Sequence, residues 1–339
     1  MNEYLRARPH RTLVTGATGF VGAAVARELQ AAGYRLRLLH RSRSDCANLR
    51  DIEGERVVGD LLDASSLKRA VRGCDAVFHV AADYRLWVPK PEHMYAVNVD
   101  GTAALACAAA EAGVQRMLYT SSVATIAAFR DGQVADETTP SRLEQMIGHY
   151  KRSKFLADSR LQQLQVELPL EVVTVKPSTP VGPGDIKPTP TGRVLLDAAN
   201  RRIPAYVDTG LNVVDVADVA RGHRLAFERG AAGRDYILGG TDMSLRAILT
   251  SACVHAGVAP PRVRLPLDCL WPVAFAAEHW HRLRRSTSEP LLTWDGLRMA
   301  RYKMFYSSAR AMTELGYAPV APQPAIGAAV DWFVQHGYA

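Results

Sequence analysis

The sequence predicts an α/β protein in which helices cover both faces of a doubly wound parallel sheet. Three observations predict it: strand-like and helix-like stretches alternate through the first half, their linkers are short, and a glycine-rich turn joins the first strand to the first helix. We expect residues 1–180 to form this sheet domain, with 203–230 returning to it. Residues 181–339 are expected to form a smaller, mostly C-terminal substrate-binding region.

The predicted elements of the first half follow one another as strand, helix, strand. The helix of 19–33 is rich in alanine and ends at Gly33, and the helix of 63–73 opens on Asp63, a residue favoured at helix N-caps. Such alternation makes βαβ units and hence a parallel sheet. The predicted strands are 11–16, 34–40, 56–61, 75–82, 116–122 and 170–177, and the other helices are 92–112 and 144–167.

The pattern loosens after residue 177. Proline and glycine cluster in 177–192, which predicts a loop over a site. The stretch 203–222 predicts another strand and helix that return to the sheet. Residues 232–339 indicate helices with short strands between them.

Composition narrows the possible partners. The chain is 48% hydrophobic and 22% charged, as in an ordinary globular protein, with a formal net charge of +7. A positive charge suits phosphorylated ligands, nucleic acid or an anionic membrane. Because the basic residues are scattered, we expect a phosphate-bearing small molecule and no nucleic acid.

Cysteine usage and hydropathy indicate a cytoplasmic protein. The five cysteines are odd in number and form no Cys-x-x-Cys pair, so a disulfide framework is not expected. No run reaches the roughly 18 apolar residues that span a bilayer. The N-terminus lacks the apolar run of a secretory signal, and no His/Cys/Asp spacing predicts a metal site.

The turn TGATGFVG places Gly16, Gly19 and Gly22 between the first strand and the first helix. Glycines let the chain turn tightly, let the backbone approach a pyrophosphate, and let the positive end of the helix face the phosphates. A strand before the motif and a helix after it are the context that a dinucleotide site requires. The sequence therefore predicts a Rossmann-type domain.

The end of the second strand indicates which dinucleotide is bound. NAD enzymes usually carry an acidic residue there, whereas this chain has Arg41 and Arg43, which can pair with the 2′-phosphate of NADP. NADP is therefore the expected cofactor, with NAD as the alternative. Asp60, at the end of the third strand, is placed to accept a hydrogen bond from the adenine amino group.

Tyr150 is followed four residues later by Lys154, a spacing that puts both side chains on one helix face. A free phenol titrates near pH 10, and a nearby ammonium lowers that pKa towards a useful acid or base. Lys154 can also hold the nicotinamide ribose. The pair predicts proton transfer beside the cofactor.

Together these motifs resemble the extended short-chain dehydrogenase/reductase family. The resemblance runs from about residue 11 to 220 and is carried by the turn 15–22 and by GDL, HVAA, NVDGT, YTSS, YKRSK and KPSTPVGPGD. It implies Ser122 as the donor that polarises a carbonyl, Tyr150 as acid/base and Lys154 as its tuner. The further cofactor-binding residues that it implies are Thr18, Phe20, Val21, Leu61, Ala81, Ala82, Asn98, Pro177 and Thr179.

Within that family the sequence is similar to the hopanoid-associated sugar epimerase group, near the dihydroflavonol-4-reductase branch. The resemblance implies an epimerase that moves hydride and proton at a hydroxyl or carbonyl carbon of a sugar or lipid-linked substrate. An NADPH-dependent ketone reductase is the alternative, and a non-catalytic dinucleotide sensor is a third. YTSSVATIAA lacks the Ser-x-x-x-Val-Tyr-Gly run of typical nucleotide-sugar epimerases.

Residues 270–285 combine two tryptophans, Trp271 and Trp280, with a basic end that includes Arg282, Arg284 and Arg285. Such a stretch predicts contact with a membrane surface or a cover over a lipid-like substrate. A core or dimer helix is the alternative. We expect a homodimer.

Overall fold

A seven-stranded parallel sheet forms the centre of the computed structural model, which describes residues 11–283 and 292–338. Its strand order, β10-β6-β5-β4-β1-β2-β3, confirms the predicted Rossmann-type fold class. The order reverses between β1 and β4, which opens a crevice at the carboxyl ends of the strands. The strands are β1 (Thr12–Thr15), β2 (Leu36–His40), β3 (Glu55–Val58), β4 (Ala76–His79), β5 (Arg116–Thr120), β6 (Glu171–Pro177) and β10 (Asp235–Leu238).

Helices cover both faces of this sheet because consecutive strand residues point to opposite sides. Val14 packs in one buried cluster with α1 (Phe20–Ala31), α7 (Val216–Arg229) and α11 (Ala309–Leu315). Leu13 packs in the other, whose helices are α2 (Ala64–Val71), α4 (Gly101–Glu111) and α5 (Gly148–Glu167).

A π-helical turn, Ala96–Asp100, joins α3 (Glu92–Tyr95) to α4. Single π turns interrupt the regular hydrogen bonding of a helix and often occur at functional sites. This one carries Asn98, which is buried.

A second, smaller sheet lies in the C-terminal half and has the order β11-β9-β13, with β7 also paired to β9. Its buried cluster includes residues of α6, α8 and α12. The elements of this region are β7 (Thr179–Val181), α6 (Pro190–Ala199), β8 (Ala205–Tyr206), β9 (Gly210–Asp215), β11 (Thr241–Ser244), α8 (Leu245–His255), β12 (Val263–Arg264), α9 (Trp271–Leu283), α10 (Trp294–Ala300), β13 (Lys303–Met304) and α12 (Gln323–Gln335).

The stretch 203–222 differs in one respect from the expectation that its strand and helix return to the main sheet. The helix α7 does pack there, against α1. The strand β9 instead belongs to the smaller sheet, and β10 supplies the seventh strand, parallel to β6. The division of the chain at residue 180 stays a prediction.

Candidate active site

A cavity of about 950 Å³ lies at the carboxyl ends of the main sheet, where the strand order reverses. Most of the predicted site residues line it, although they come from loops, helices and strand ends that are far apart along the chain. Arg43 and Asn98 are not among its lining residues. The predicted residues that do line it are Gly16, Thr18, Gly19, Phe20, Val21, Gly22, Arg41, Asp60, Leu61, Ala81, Ala82, Ser122, Tyr150, Lys154, Pro177 and Thr179.

The glycine turn has the shape that a dinucleotide needs. A Cβ on Gly22 would lie 2.1 Å from the Gly16 carbonyl oxygen, and one on Gly16 would lie 2.7 Å from the Ala81 nitrogen, so both positions require glycine. At Gly19 the neighbour within 4 Å is the Gly16 oxygen, at 3.3 Å, and the remaining space is open. Gly19 provides no side-chain cap for α1, which leaves that helix's first amides available to a pyrophosphate.

The end of the cavity beside the loop after β2, here called the adenosine end because the adenosine of a dinucleotide is expected there, contains one of the two predicted arginines. Arg41 lines it together with Ser44 and Asp45, whereas Arg43 is exposed outside it. Asp45 is an acidic neighbour that the sequence argument overlooked; its Oδ1 accepts a hydrogen bond from the Ala47 amide at 2.9 Å. Asp60 Oδ1 likewise accepts one from the Leu62 amide at 2.9 Å, while Asp60 still borders the cavity.

Asn98 supports the site from behind its wall. Its Oδ1 accepts from the Asp83 amide at 2.8 Å, and its Nδ2 donates to the Asp83 carbonyl and to Ser153 Oγ, both at 2.9 Å. These bonds join the loop after β4 to helix α5. Asn98 therefore holds the Ala82–Asp83 segment, which lines the cavity, against the helix that carries Tyr150.

Lys154 lines the cavity and is almost fully buried. Its Nζ donates to the Thr120 carbonyl at 2.8 Å and lies 4.5 Å from the centre of the Tyr119 ring. Burial lowers the pKa of Lys154 to about 8; the Asp158 carboxylate opposes this shift and the Lys176 ammonium adds to it.

The expectation that Lys154 lowers the pKa of Tyr150 needs correction. Burial raises the pKa of Tyr150, a hydrogen bond shared with the Ser122 side chain partly offsets that effect, and the Asp158 carboxylate raises it further. The net direction is upward, so Tyr150 is a protonated phenol at neutral pH. Ser122, rather than Lys154, is the neighbour that favours the phenolate.

A buried ion cluster lies under this pair, and the sequence argument did not identify it. Asp158, one turn after Lys154, accepts from Ser121 Oγ and from Lys176 Nζ, both at 2.6 Å. Lys176 Nζ also lies 3.2 Å from Asp235 Oδ2. Burial lowers the pKa of Lys176, but the two carboxylates outweigh it and the net direction is upward.

The C-terminal half supplies the other side of the cavity, where polar residues such as Lys187 and Thr189 are joined by five apolar side chains from further along the chain. Sequence reasoning missed these apolar residues because they are distant along the chain and belong to no motif. They are contributed by β9, α8, α10 and β13, and they are Leu211, Leu245, Ile248, Met299 and Met304.

Of the predicted loop 177–192, residues 182–189 form a loop that lines the cavity in part, while 179–181 form β7 and α6 begins at Pro190. Asn48 Nδ2 donates to the Gly184 carbonyl at 2.9 Å, and Tyr338 Oη donates to the Ile186 carbonyl at 2.6 Å. Asp185 Oδ2 accepts from the Thr189 amide and hydroxyl, each at 2.8 Å. Asn48 follows the Arg41–Asp45 segment, so this bond links the adenosine end to the substrate loop.

No group of three or more His, Cys, Asp or Glu side chains could hold a metal ion within 11–283 and 292–338. Over the same residues, no helix is long and apolar enough to cross a membrane.

The sequence is similar to known proteins over almost its whole length. The model of the NAD dependent epimerase/dehydratase family matches residues 12–239. A Synechocystis protein named as a dihydroflavonol 4-reductase is 43% identical, over 96% of this chain and 95% of its own. The sterol demethylase protein B of Methylococcus capsulatus is 31% identical, over 96% and 99%. A farnesyl dihydroquinoline-1-oxide ketoreductase of Stigmatella aurantiaca is 30% identical, over 91% and 92%.

Solved structures show the same fold. The crystal structure of gox2253 has a TM-score of 0.86 and 51% identity, and covers 96% of this chain and 98% of its own. The UDP-glucose 4-epimerase of Thermus thermophilus, in complex with NAD, has a TM-score of 0.76 at 23% identity, over 96% and 99%.

Proposed function

The chain belongs to the NAD-dependent epimerase/dehydratase family, and we propose that it is an NADPH-dependent reductase of a carbonyl group on a largely apolar substrate. The observation that carries this proposal is the apolar C-terminal wall of the cavity. A nucleotide sugar needs many donors for its phosphates and hydroxyls. Lys187 and Thr191 supply a few on this side of the cavity, whereas Leu211, Ile248 and Met299 offer none.

Different residues of the chain would bind different parts of the cofactor. The glycine turn and the first amides of α1 would hold the pyrophosphate, and Arg41 would hold the 2′-phosphate of NADP. Lys154 would contact the nicotinamide ribose. When bound, the nicotinamide supplies a hydride to the substrate carbon.

Tyr150 and Ser122 would handle the carbonyl oxygen. The two side chains line the same cavity and Ser122 lowers the pKa of Tyr150, so an oxygen placed between them can accept from both. As the carbon gains hydride, the oxygen takes the Tyr150 proton and the product is an alcohol. The raised pKa of Tyr150 supports this direction because a reduction needs the phenol protonated.

Epimerisation of a sugar or lipid-linked substrate, including the hopanoid-associated role, remains the second candidate. It is supported by the epimerase/dehydratase description of the family. The two differ in redox balance, because an epimerase returns the hydride and consumes no cofactor.

Cofactor consumption tests the proposal directly. Purified protein with NADPH should lose NADPH absorbance with long-chain or aromatic ketones and aldehydes, and should leave UDP- and dTDP-sugars unchanged. Conversion of a sugar nucleotide to its epimer without loss of NADPH would replace the reductase by the epimerase.

Helix α9 supports a further proposal, that the protein contacts a membrane surface. Val273, Phe275 and Trp280 are each more than half exposed, while Ala274 is fully buried. Trp271 stacks edge-on with Trp294 of α10, at 4.5 Å between ring centres. Arg284 and Arg285, part of the predicted basic end, lie outside the described residues. The cytoplasmic location and the homodimer stay proposals.

A further inference from the structure

His223 is a fully buried histidine of helix α7 to which no role has yet been assigned. Its ring makes two hydrogen bonds: Nδ1 lies 2.7 Å from the Val219 carbonyl oxygen, and Nε2 lies 3.0 Å from Thr120 Oγ1. Thr120 is the last residue of β5 and lines the cavity. The second bond therefore joins α7 to the wall of the candidate active site.

The direction of both bonds follows from the chemistry of the partners. Burial lowers the pKa of His223 to about 4, and the bond to Val219 opposes this shift, so the ring is neutral at pH 7 and carries one proton. A carbonyl oxygen only accepts, so that proton is on Nδ1. Nε2 is then an acceptor, and the Thr120 hydroxyl donates to it.

Thr120 connects this ring to Lys154. The carbonyl oxygen of Thr120 accepts from Lys154 Nζ at 2.8 Å. The two bonds of Thr120 run to opposite faces of the main sheet, because His223 belongs to α7 and Lys154 to α5. An ammonium has three protons, so Lys154 can keep this bond while it donates to a ribose hydroxyl. The position of Thr120 therefore sets the position of the ammonium.

The contact between α7 and Thr120 depends on close packing of the helix on the sheet. Gly222 precedes His223, and a Cβ at this position would lie 2.7 Å from Leu238 Cδ2 of β10. Leu238 is fully buried, so a larger residue would force the helix or the strand to shift. Gly222 thus lets α7 approach the sheet at the turn that carries His223.

We propose that His223 is a positioning residue for cofactor binding: it orients Thr120, whose carbonyl places the Lys154 ammonium where the nicotinamide ribose binds. This inference rests on the proposed contact between Lys154 and that ribose. His223 is not among the residues that line the cavity. Its effect on the cofactor therefore passes through Thr120.

The test measures NADPH binding by fluorescence titration and needs no substrate. His223→Leu removes the acceptor, so the NADPH dissociation constant should rise by about 5-fold or more, the size of one lost hydrogen bond. His223→Gln carries an amide oxygen about as far from the backbone as Nε2, and should bind NADPH nearly as tightly as wild type. His223→Asn is too short to reach Thr120 and should bind as weakly as His223→Leu.

Thr120→Val tests the path through the hydroxyl, because it leaves the carbonyl in place. NADPH binding should weaken, and His223→Leu should have no further effect in the Thr120→Val background, since the two residues act as a pair. Phe227→Leu is the matched control: Phe227 is buried one turn later in α7 and packs on Phe78. It should lower the free energy of unfolding, measured with denaturant, without changing NADPH binding.

The outcomes separate this inference from the proposed function, because no turnover is measured and a failed reductase assay leaves these results standing. If Lys154→Met weakens NADPH binding and His223→Leu does not, the ribose contact stands and the role of His223 is overturned. If Lys154→Met binds NADPH as wild type does, the ribose contact fails and the inference fails with it. Equal losses in His223→Gln and His223→Leu, or losses that add to that of Thr120→Val, would make His223 structural and overturn the inference.

Discussion

At the scale of single residues, the phenol of Tyr150 decides whether the site can move a proton. Tyr150→Phe removes only the hydroxyl, so turnover should fall by about 10²- to 10⁴-fold, the usual contribution of a general acid. NADPH affinity, measured by fluorescence titration, should change little. Tyr206→Phe, outside the cavity, is the control. Activity within a few-fold of wild type would remove Tyr150 from the mechanism.

The two arginines after β2 should contribute unequally to cofactor choice. Arg41 lines the cavity and Arg43 does not, so Arg41→Ala should weaken NADP(H) binding by about 10- to 100-fold. Arg43→Ala should have a small effect, and NAD(H) binding should be almost unchanged in both variants. Titrations with both cofactors measure this; wild-type binding of NAD(H) as tight as that of NADP(H) would contradict an NADP site.

The buried pair of Asp158 and Lys176 should set the pH range of the reaction. Lys176 lowers the pKa of Lys154, and Asp158 raises the pKa of both Lys154 and Tyr150. Lys176→Met leaves Asp158 without its 2.6 Å partner, so both pKa values should rise. The alkaline limb of the reduction rate, where Tyr150 loses its proton, should move to higher pH.

Asp158→Asn should have the opposite effect. It removes the carboxylate that raises the pKa of Tyr150, so the alkaline limb of the reduction rate should move to lower pH. Lys176→Met should also cost about 3–5 kcal/mol in the free energy of unfolding, because it leaves a buried charge unpaired. Denaturant unfolding measures that cost separately from the pH–rate profile. A limb that moves in the same direction in both variants would rule out an electrostatic role.

Functional residues could be predicted from the sequence where they belong to a motif whose members lie close together along the chain. Gly16, Gly19 and Gly22 lie within one turn, and Tyr150 and Lys154 within one helical turn, so their proximity follows from backbone geometry alone. Asp158, Lys176 and Asp235 come from α5, β6 and β10 and meet only in the folded structure. No local pattern encodes such a contact.

At the scale of elements, helix α9 carries exposed apolar side chains within the stretch that the sequence predicts to contact a membrane surface. Phe275 is 65% exposed and Trp280 is 52% exposed, so the apolar face can enter the boundary of a bilayer. We expect co-sedimentation with anionic liposomes, weakened at high salt. Part of the binding should persist at high salt, because it comes from the apolar face. The nearby cations Arg298 and Arg301 add little to the salt-sensitive part, since they are already paired with Asp295 and Asp268.

Trp280→Glu and Phe275→Glu should each release the protein from liposomes. Val166→Glu is the control, because Val166 is 89% exposed in α5, a different helix. Protein that stays in the supernatant at low salt would show that α9 serves another purpose, and an increase in mass by light scattering would point to contact between copies.

The secondary-structure elements and their sheet were predictable where strands and helices alternate along the chain. The sheet was less predictable where a strand pairs in the smaller sheet instead of the main one. The stretch GLNVVD reads as a strand from its β-branched and apolar residues, and it is one. Its partners are β7, β11 and β13, of which β13 is nearly 90 residues away along the chain. Hydrophobic pattern identifies a strand but does not identify its neighbour.

At the scale of the whole molecule, the two halves of the chain make different parts of one cavity. The main sheet contributes the glycine turn and the Tyr150–Lys154 pair, and the C-terminal half contributes the apolar wall. The first half follows general topological rules for parallel sheets. The second half follows no such rule, which is why its apolar lining residues, such as Ile248 and Met299, were visible only in the folded structure.

The bond from Asn48 to the Gly184 carbonyl has a consequence for kinetics. It connects the segment that would bind the nucleotide to the loop beside the substrate. A bound nucleotide would therefore fix the conformation of that loop before the substrate binds. We expect compulsory-order addition, with NADP⁺ a competitive product inhibitor against NADPH and the alcohol product non-competitive. Asn48→Ala should relax this towards random order and raise the substrate KM, while NADPH affinity changes little. Random-order patterns in the wild-type protein would show that the two ends of the cavity fill independently.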